Sequence, residues 1–208
     1  MKTINFLNYL ITDTTLEEVC IYLEKKNTPF RHITTLNTTI LMKTKPASKL
    51  QNHLQESELI VPDGIGILWA IKKQKNKIIN RITGADLVTQ LLQRKTTPPS
   101  KEKRKLYLLG SHQKTVEKAK KNIRKKYPYW DIVGAHSGYF NPTEEPQIIQ
   151  SITQSKADLI LVGMGFPKQE QFIMKLKETA TKGIAIGIGG VIDMLAEERK
   201  RAPKWIQK

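Results

Sequence analysis

Apolar positions along this chain fall into two rhythms that take turns. Short, nearly continuous Leu/Ile/Val runs are followed by segments in which apolar residues recur every three or four positions. The first rhythm marks strands buried on both faces and the second marks helices with one buried stripe. From the N-terminus, the pattern predicts one strand over Ile4–Ile11. A capping box, Thr14 with Glu17, then opens a helix whose buried face is Leu16, Val19, Cys20 and Leu23. Pro29 stops it. His32–Leu36 reads as a strand, and Asn37 and Thr38 open a helix that runs on past Pro46 to Glu56. Glu58–Val61 is a strand. Gly64–Lys73 is a helix carrying Ile65, Leu68, Trp69 and Ile71, with Trp69 read as core, and Lys72–Lys77 is a basic turn. Thr83 caps a further helix through Gln93.

The same alternation continues after a polar connector near 96–105, which contains Pro98-Pro99 and is read as a junction between half-lobes. Strands are expected at Leu106–Leu109, Trp130–Val133, Asp158–Val162 and Gly183–Ile186. Helices are expected at Gln113–Lys126 and Glu144–Gln154, around Gln169 and Gln171, and around Asp193. No internal repeat or low-complexity tract interrupts the pattern. The whole points to an α/β fold: a mostly parallel, Rossmann-like sheet with helices on both faces, as a single domain over 1–208. In such sheets ligands bind beyond the carboxyl ends of the strands. Thr35, Asn37, Asp63, Gly110, Gly138, Gly163 and the Gly187–Gly190 turn all follow strands, so one edge should gather them into a cleft.

Composition narrows the setting. Apolar content of 39% and charged content of 26% are those of an ordinary water-soluble domain. No run reaches the roughly 20 apolar residues of a membrane span, and no signal-peptide pattern opens the chain. The single cysteine, Cys20, excludes an internal disulfide and fits a reducing compartment. The net charge of +16 is the unusual quantity. It calls for an anionic partner, whether nucleic acid, anionic lipid or a phosphorylated substrate, although lysine-rich usage also follows genome composition.

The candidate chemistry centres on residues 61–87. Asp63 stands between Pro62 and Gly64 at a strand end, and Arg81-Ile82-Thr83-Gly84 follows one helix length later. A carboxylate for a proton and an arginine for an anion could meet there; an Asp-Gly turn and a helix cap are the plain alternative. The glycine turns at Gly163-Met164-Gly165 and Gly187-Ile188-Gly189-Gly190 let backbone approach a phosphate at a helix N-terminus. Close packing in a tight turn explains each of them equally well. Tyr139-Phe140 could stack on a base. His136 reads as a loop histidine, and the lysines near 120 as a solvated helix face. Neither a P-loop nor a D-x-D pair is present, and no His/Cys/Asp/Glu cluster has metal-ligand spacing. No metal or other cofactor is therefore expected.

Taken together, P-D-G-I-G-I-L-W-A, R-I-T-G-A-D-L, G-A-H-S-G-Y-F, V-G-M-G-F-P-K-Q-E, G-I-G-G-V-I-D-M-L and R-A-P-K-W are collinear from about Thr35 to the last residue. In that order they resemble the WecG/TagA/CpsF family of bacterial glycosyltransferases. The resemblance implies an inverting transfer from a UDP-sugar to a polyprenyl-diphosphate-linked acceptor, feeding teichoic acid, enterobacterial common antigen or capsule. The sugar would be N-acetylmannosamine, its uronic acid or glucose. It implies Asp63 as general base, with Arg81, Thr35 and Gln169 in the same catalytic pocket, and Asp193 at the nucleoside. Asn37, Gly138, Tyr139, Gly163, Gly187 and Gly190 are the accompanying substrate-binding candidates. Two positions depart from the family pattern, Val191-Ile192 and Ala196-Glu197-Glu198. Family members also continue past R-A-P-x-W into a segment that is missing here, and apolar surface left bare by its loss would favour a homo-oligomer. The implied location is the cytoplasm, peripherally on the inner face of the plasma membrane, where each basic residue contributes about 1 kcal/mol of attraction to anionic lipid.

Two other classes fit parts of the pattern. A basic nucleic-acid-binding domain would explain the charge, but no helix-turn-helix, RNP or zinc pattern supports it, so nucleic acid is the less favoured partner. An inactive homologue serving as a scaffold would bind UDP without turning over.

Overall fold

A computed structural model describes residues 1–25, 28–94 and 103–199 of the chain. The N-terminus forms a hairpin of β1 (Lys2–Phe6) and β2 (Tyr9–Asp13), followed by α1 (Leu16–Leu23) and β3 (Arg31–Leu36). Next come α2 (Thr38–Lys43), α3 (Lys49–Gln55), β4 (Leu59–Pro62), α4 (Ile65–Lys75) and α5 (Gly84–Gln93). The second half comprises β5 (Arg104–Gly110), α6 (Gln113–Lys126), β6 (Trp130–His136), α7 (Glu145–Ser155), β7 (Leu159–Gly163), α8 (Lys168–Lys177), β8 (Ile184–Gly187) and α9 (Val191–Leu195). The expected α/β class is what forms. Eight strands make one sheet in the order β1-β2-β4-β3-β8-β7-β5-β6. Among the strands of the described residues, only the β1–β2 pair is antiparallel.

Alternation along the strands sends neighbouring residues to opposite faces, as the strand period of two requires. Leu106, Leu108, Leu159 and Leu161 pack under α1, α5, α6 and α9. Tyr107, Leu109, Ile160 and Val162 pack under α7 and α8 on the other side. A third cluster joins Ile4, Phe6, Ile11 and Ile60 to α2, α3 and α4, with Ile67 and Ile71 as the buried stripe of α4.

Four local expectations need correction. The strand expected over Ile4–Ile11 is a hairpin, because Leu7 and Asn8 take φ of 49° and 66° and reverse the chain. Two successive positive φ values make the tight turn whose twist suits paired strands, and Asn8 is its one sequence cue. The capping box is shifted by one residue: Thr15 caps α1, with Glu18 reaching back to the Thr15 N–H. The helix expected to run on to Glu56 is two helices, since Asn37 caps α2 and Ser48 caps α3. Trp69 is not core; it is 62% exposed on the outer side of α4. The half-lobe junction near 96–105 lies outside the described residues up to 102.

One buried polar cluster sits at the amino end of β3, away from the carboxyl edge. His32 and His53 stack at 4.8 Å between ring centroids, and the Ser57 hydroxyl lies 3.1 Å from His32 Nδ1. Burial holds His32 well below the ordinary histidine range, with His53 and Lys177 adding to it. Burial and then Lys177 lower His53. Both rings are therefore neutral in the fold, while the unfolded chain takes up protons near pH 6.5. The stability this neutrality confers is complete above that pH and is lost as the pH falls below it. Thermal melts should show Tm dropping between pH 7.5 and 5.5, and His53→Phe, which keeps the stack, should flatten that slope. An unchanged slope would show that these rings do not govern it.

Candidate functional site

The strand order creates two places where neighbouring strands send their loops apart. From β3 the chain turns outward to β4, whereas β8 is reached from the other side; β5 and β7 diverge in the same way. Both divergences leave crevices at the carboxyl edge, where this class of sheet binds ligands.

The first crevice, about 470 Å³, lies beyond β3, β4 and β8 and is lined by Thr35, Asn37, Asp63, Arg81, Gln169 and Gly187, among others. Asp63 leaves β4 with its N–H donated to the Leu36 carbonyl at 2.7 Å, which ties the ends of β4 and β3 together. Its Oδ2 accepts the Gly84 N–H at 3.2 Å, at the start of α5. The positive end of that helix dipole thus faces the carboxylate. The Ile82 N–H donates to the Pro62 carbonyl at 2.9 Å. That bond returns the chain beside β4 and puts Arg81 into the same crevice as Asp63, though they are 18 positions apart in sequence.

The other first-crevice candidates also bind protein. The buried Thr35 hydroxyl donates to the Gly187 carbonyl at 3.1 Å, joining β3 to β8. Asn37 Oδ1 accepts the Ile40 N–H as the cap of α2. Gln169 Oε1 accepts the N–H groups of Gly165 and Gly189 at 3.2 and 3.0 Å, while its Nε2 donates to Glu170 Oε1 at 2.8 Å. It therefore braces two glycine turns at once. Glu170 is 97% buried (3% relative exposure), and burial pushes its carboxyl up from the ordinary range. A side chain on residue 187 would have its Cβ 2.6 Å from Gln169 Nε2 and 3.1 Å from Glu170 Oε1, so it would push the Gln169 amide out of its brace.

The second crevice, about 590 Å³, lies beyond β5, β6 and β7, with Gly138, Tyr139, Gly163, Gly190 and Asp193 in its wall. Asp193 Oδ1 accepts from the Ser111 hydroxyl at 2.6 Å. Tyr139 is 68% exposed and stacks on His112 with ring centroids 4.3 Å apart. Phe140, by contrast, packs against the core. Gly189 lines both crevices, so the two adjoin there. All eleven candidates read from the sequence thus line one crevice or the other.

Sequence reasoning did not select Ser111, His112, Lys168 or Arg199, which line the second crevice too. Ser111 and His112 had one available signal, their position just after a buried strand. Arg199 had none, because only the return of the chain past Gly190 brings it there. Among the described residues, no three His, Cys, Asp or Glu side chains are placed to hold a metal ion. No described helix is long and apolar enough to cross a membrane.

A doubly wound, mostly parallel sheet, with an acid and an arginine in one switch-point crevice and glycine turns around an adjoining one, makes this an α/β protein with two adjoining crevices along its carboxyl edge. The chain belongs to the glycosyl transferase WecG/TagA/CpsF family, whose sequence model matches residues 4–208. It is similar to the N-acetylglucosaminyldiphosphoundecaprenol N-acetyl-beta-D-mannosaminyltransferase of Bacillus subtilis (strain 168). The two are 28% identical over 209 residues, which is 99% of this chain and 79% of that protein. The protein of the same name from Staphylococcus aureus (strain NCTC 8325 / PS 47) is 28% identical over 193 residues, covering 93% of this chain and 74% of its own.

Proposed function

We propose that this protein transfers N-acetylmannosamine or a related sugar from a UDP-sugar to a polyprenyl-diphosphate-linked acceptor in the synthesis of a cell-wall polymer. The observation that carries this reading is the adjoining pair of crevices, with Asp63 and Arg81 in one, Asp193 in the other and Gly189 common to both. The names of the relatives support the acceptor and the sugar.

In this reading the acceptor hydroxyl lies in the first crevice and the nucleoside diphosphate extends into the second. Asp63 takes the hydroxyl proton as the acceptor oxygen forms its bond to the anomeric carbon. The bond from that carbon to the diphosphate oxygen breaks on the opposite face, so configuration inverts. Arg81 and backbone N–H groups stabilise the charge left on the diphosphate. Asp193 holds the nucleoside, and Tyr139 offers it an aromatic face. Since the sequence carries no D-x-D, the diphosphate is assigned to cationic side chains and helix N-termini. A lipid-linked acceptor supports a peripheral position for the protein on the inner face of the plasma membrane.

Calorimetry with UDP tests the assignment. Wild type should bind saturably, and Asp193→Ala should bind about tenfold or more weakly, the size expected for losing a hydrogen bond to a charged group. Absence of UDP binding by wild type would sink the reading. Salt-sensitive RNA binding unaffected by UDP would put a nucleic-acid function in its place.

A further inference from the structure

The outer side of α4 carries an apolar stripe that no described element covers. Ile65 and Trp69, one turn apart, are 51% and 62% exposed, and Lys73 continues the row with its Nζ 5.0 Å from the Trp69 ring centroid. The helix alongside extends the patch. A Cβ at Gly66 would lie 2.7 Å from Thr38 Cγ2, so α4 and α2 touch there, and Met42, one turn beyond Thr38, is 87% exposed. The stripe begins two residues after Asp63, which lines the first crevice.

Positive charge predominates around this patch, with Asp63 at its N-terminal border and Lys77 held in an ion pair with Asp13 at 2.9 Å. Residues 37–55 and 64–85, which supply α2, α3 and α4, hold three and five Lys or Arg respectively, with no Asp or Glu in either stretch. Lys72, Lys73 and Lys75 form the last turn of α4, and all three are exposed.

We propose that the α2–α4 face docks on an anionic bilayer, Trp69 and Ile65 entering the headgroup–acyl boundary and the lysines resting on lipid phosphates. Tryptophan prefers that depth, and lysine can lie along the boundary with its charge in water. A second copy of the chain is the poorer occupant, because a symmetric contact would set the lysines of one α4 against those of the other. The inference rests on the reading that the acceptor is lipid-linked. It adds the orientation: the docked face sets the crevice holding Asp63 at the membrane surface, where the acceptor diphosphate would lie.

The test is sedimentation of the full chain with phosphatidylcholine vesicles, with or without phosphatidylglycerol, for wild type, Trp69→Ser and Lys72→Glu/Lys73→Glu. Retained UDP binding serves as the check on folding. Binding should require phosphatidylglycerol and weaken with salt. It should fall roughly tenfold in Trp69→Ser, the scale of burying one large apolar side chain. Turnover of a short-chain, water-soluble acceptor without vesicles should be the same in Trp69→Ser as in wild type. Equal vesicle binding by wild type and both variants, or none by wild type, overturns the docking face. So does a dimer in sedimentation velocity that Trp69→Ser dissolves. If wild type docks as described but never transfers sugar, the functional reading fails and the docking face stands.

Discussion

Asp63→Asn should lower turnover by about 10²–10⁴-fold, the usual weight of a positioned general base. The substitution is nearly isosteric, and its amide oxygen can still accept the Gly84 N–H that the carboxylate now accepts at 3.2 Å. What it loses is the capacity to take a proton. UDP affinity should stay within about twofold, because UDP is assigned chiefly to the second crevice and a one-atom change in the first removes little ground-state binding. The decisive comparison is turnover against UDP affinity in the same preparation. Wild-type turnover in Asp63→Asn would remove Asp63 from the mechanism and leave the crevice without a base.

Gly110→Ala should be the most damaging small substitution at the site. Gly110 has φ of 150°, and its Cβ would stand 2.4 Å from the Gly163 carbonyl oxygen and 2.7 Å from the Gly163 Cα. Those atoms are backbone of the paired strand β7, in register with Gly110, so nothing can rotate away. Gly138 presses from the next loop, where its own Cβ would lie 2.9 Å from the Gly110 Cα. Relief requires β5 and β7 to separate, which should destabilise the fold by about 3 kcal/mol or more. For a chain of this size that is a fall in Tm of roughly 6–12 °C. The shift would also move Ser111, whose hydroxyl binds Asp193, so UDP affinity should fall with stability. Gly165→Ala is the contrast. Gly165 has φ of 74° with nothing within 4 Å of a Cβ, so only backbone strain remains, roughly 1–2 kcal/mol. Equal melting losses in the two variants would show that conformation, not the approach of β5 to β7, sets the requirement at 110.

Much of this site was legible without coordinates. Strand-length apolar runs ending at Leu36, Val61, Val162 and Ile186 predict parallel strands, and in such a sheet the residues just beyond those ends share one edge. Asn37, Asp63, Gly163 and Gly187 therefore lie along that edge, with Thr35 near the end of its strand beside them, although Gly163 lines the second crevice and the others the first. Local capping was readable for the same reason: Asn37 and Thr83 satisfy N–H groups three residues away, an interaction contained within a short stretch.

Strand order was not legible, because adjacency in a sheet is settled by which faces pack together across the whole chain. Periodicity says that β3 and β8 are strands, and only tertiary packing says that they are neighbours. Their adjacency, and that of β5 and β7, divides the expected single cleft into two crevices meeting at Gly189. The two-fold brace by Gln169 and the arrival of Arg199 beside Gly190 depend on the same long-range packing. Trp69 marks the boundary most clearly. Helical spacing placed an apolar side chain at that position, but whether it faces a core or the outside depends on which side of α4 packs inward. The third cluster takes Ile67 and Ile71, and Trp69 is left outward. The chain's local pattern determined its elements and the edge that bears the chemistry; tertiary packing decided their order, the division of the cleft and the face left open.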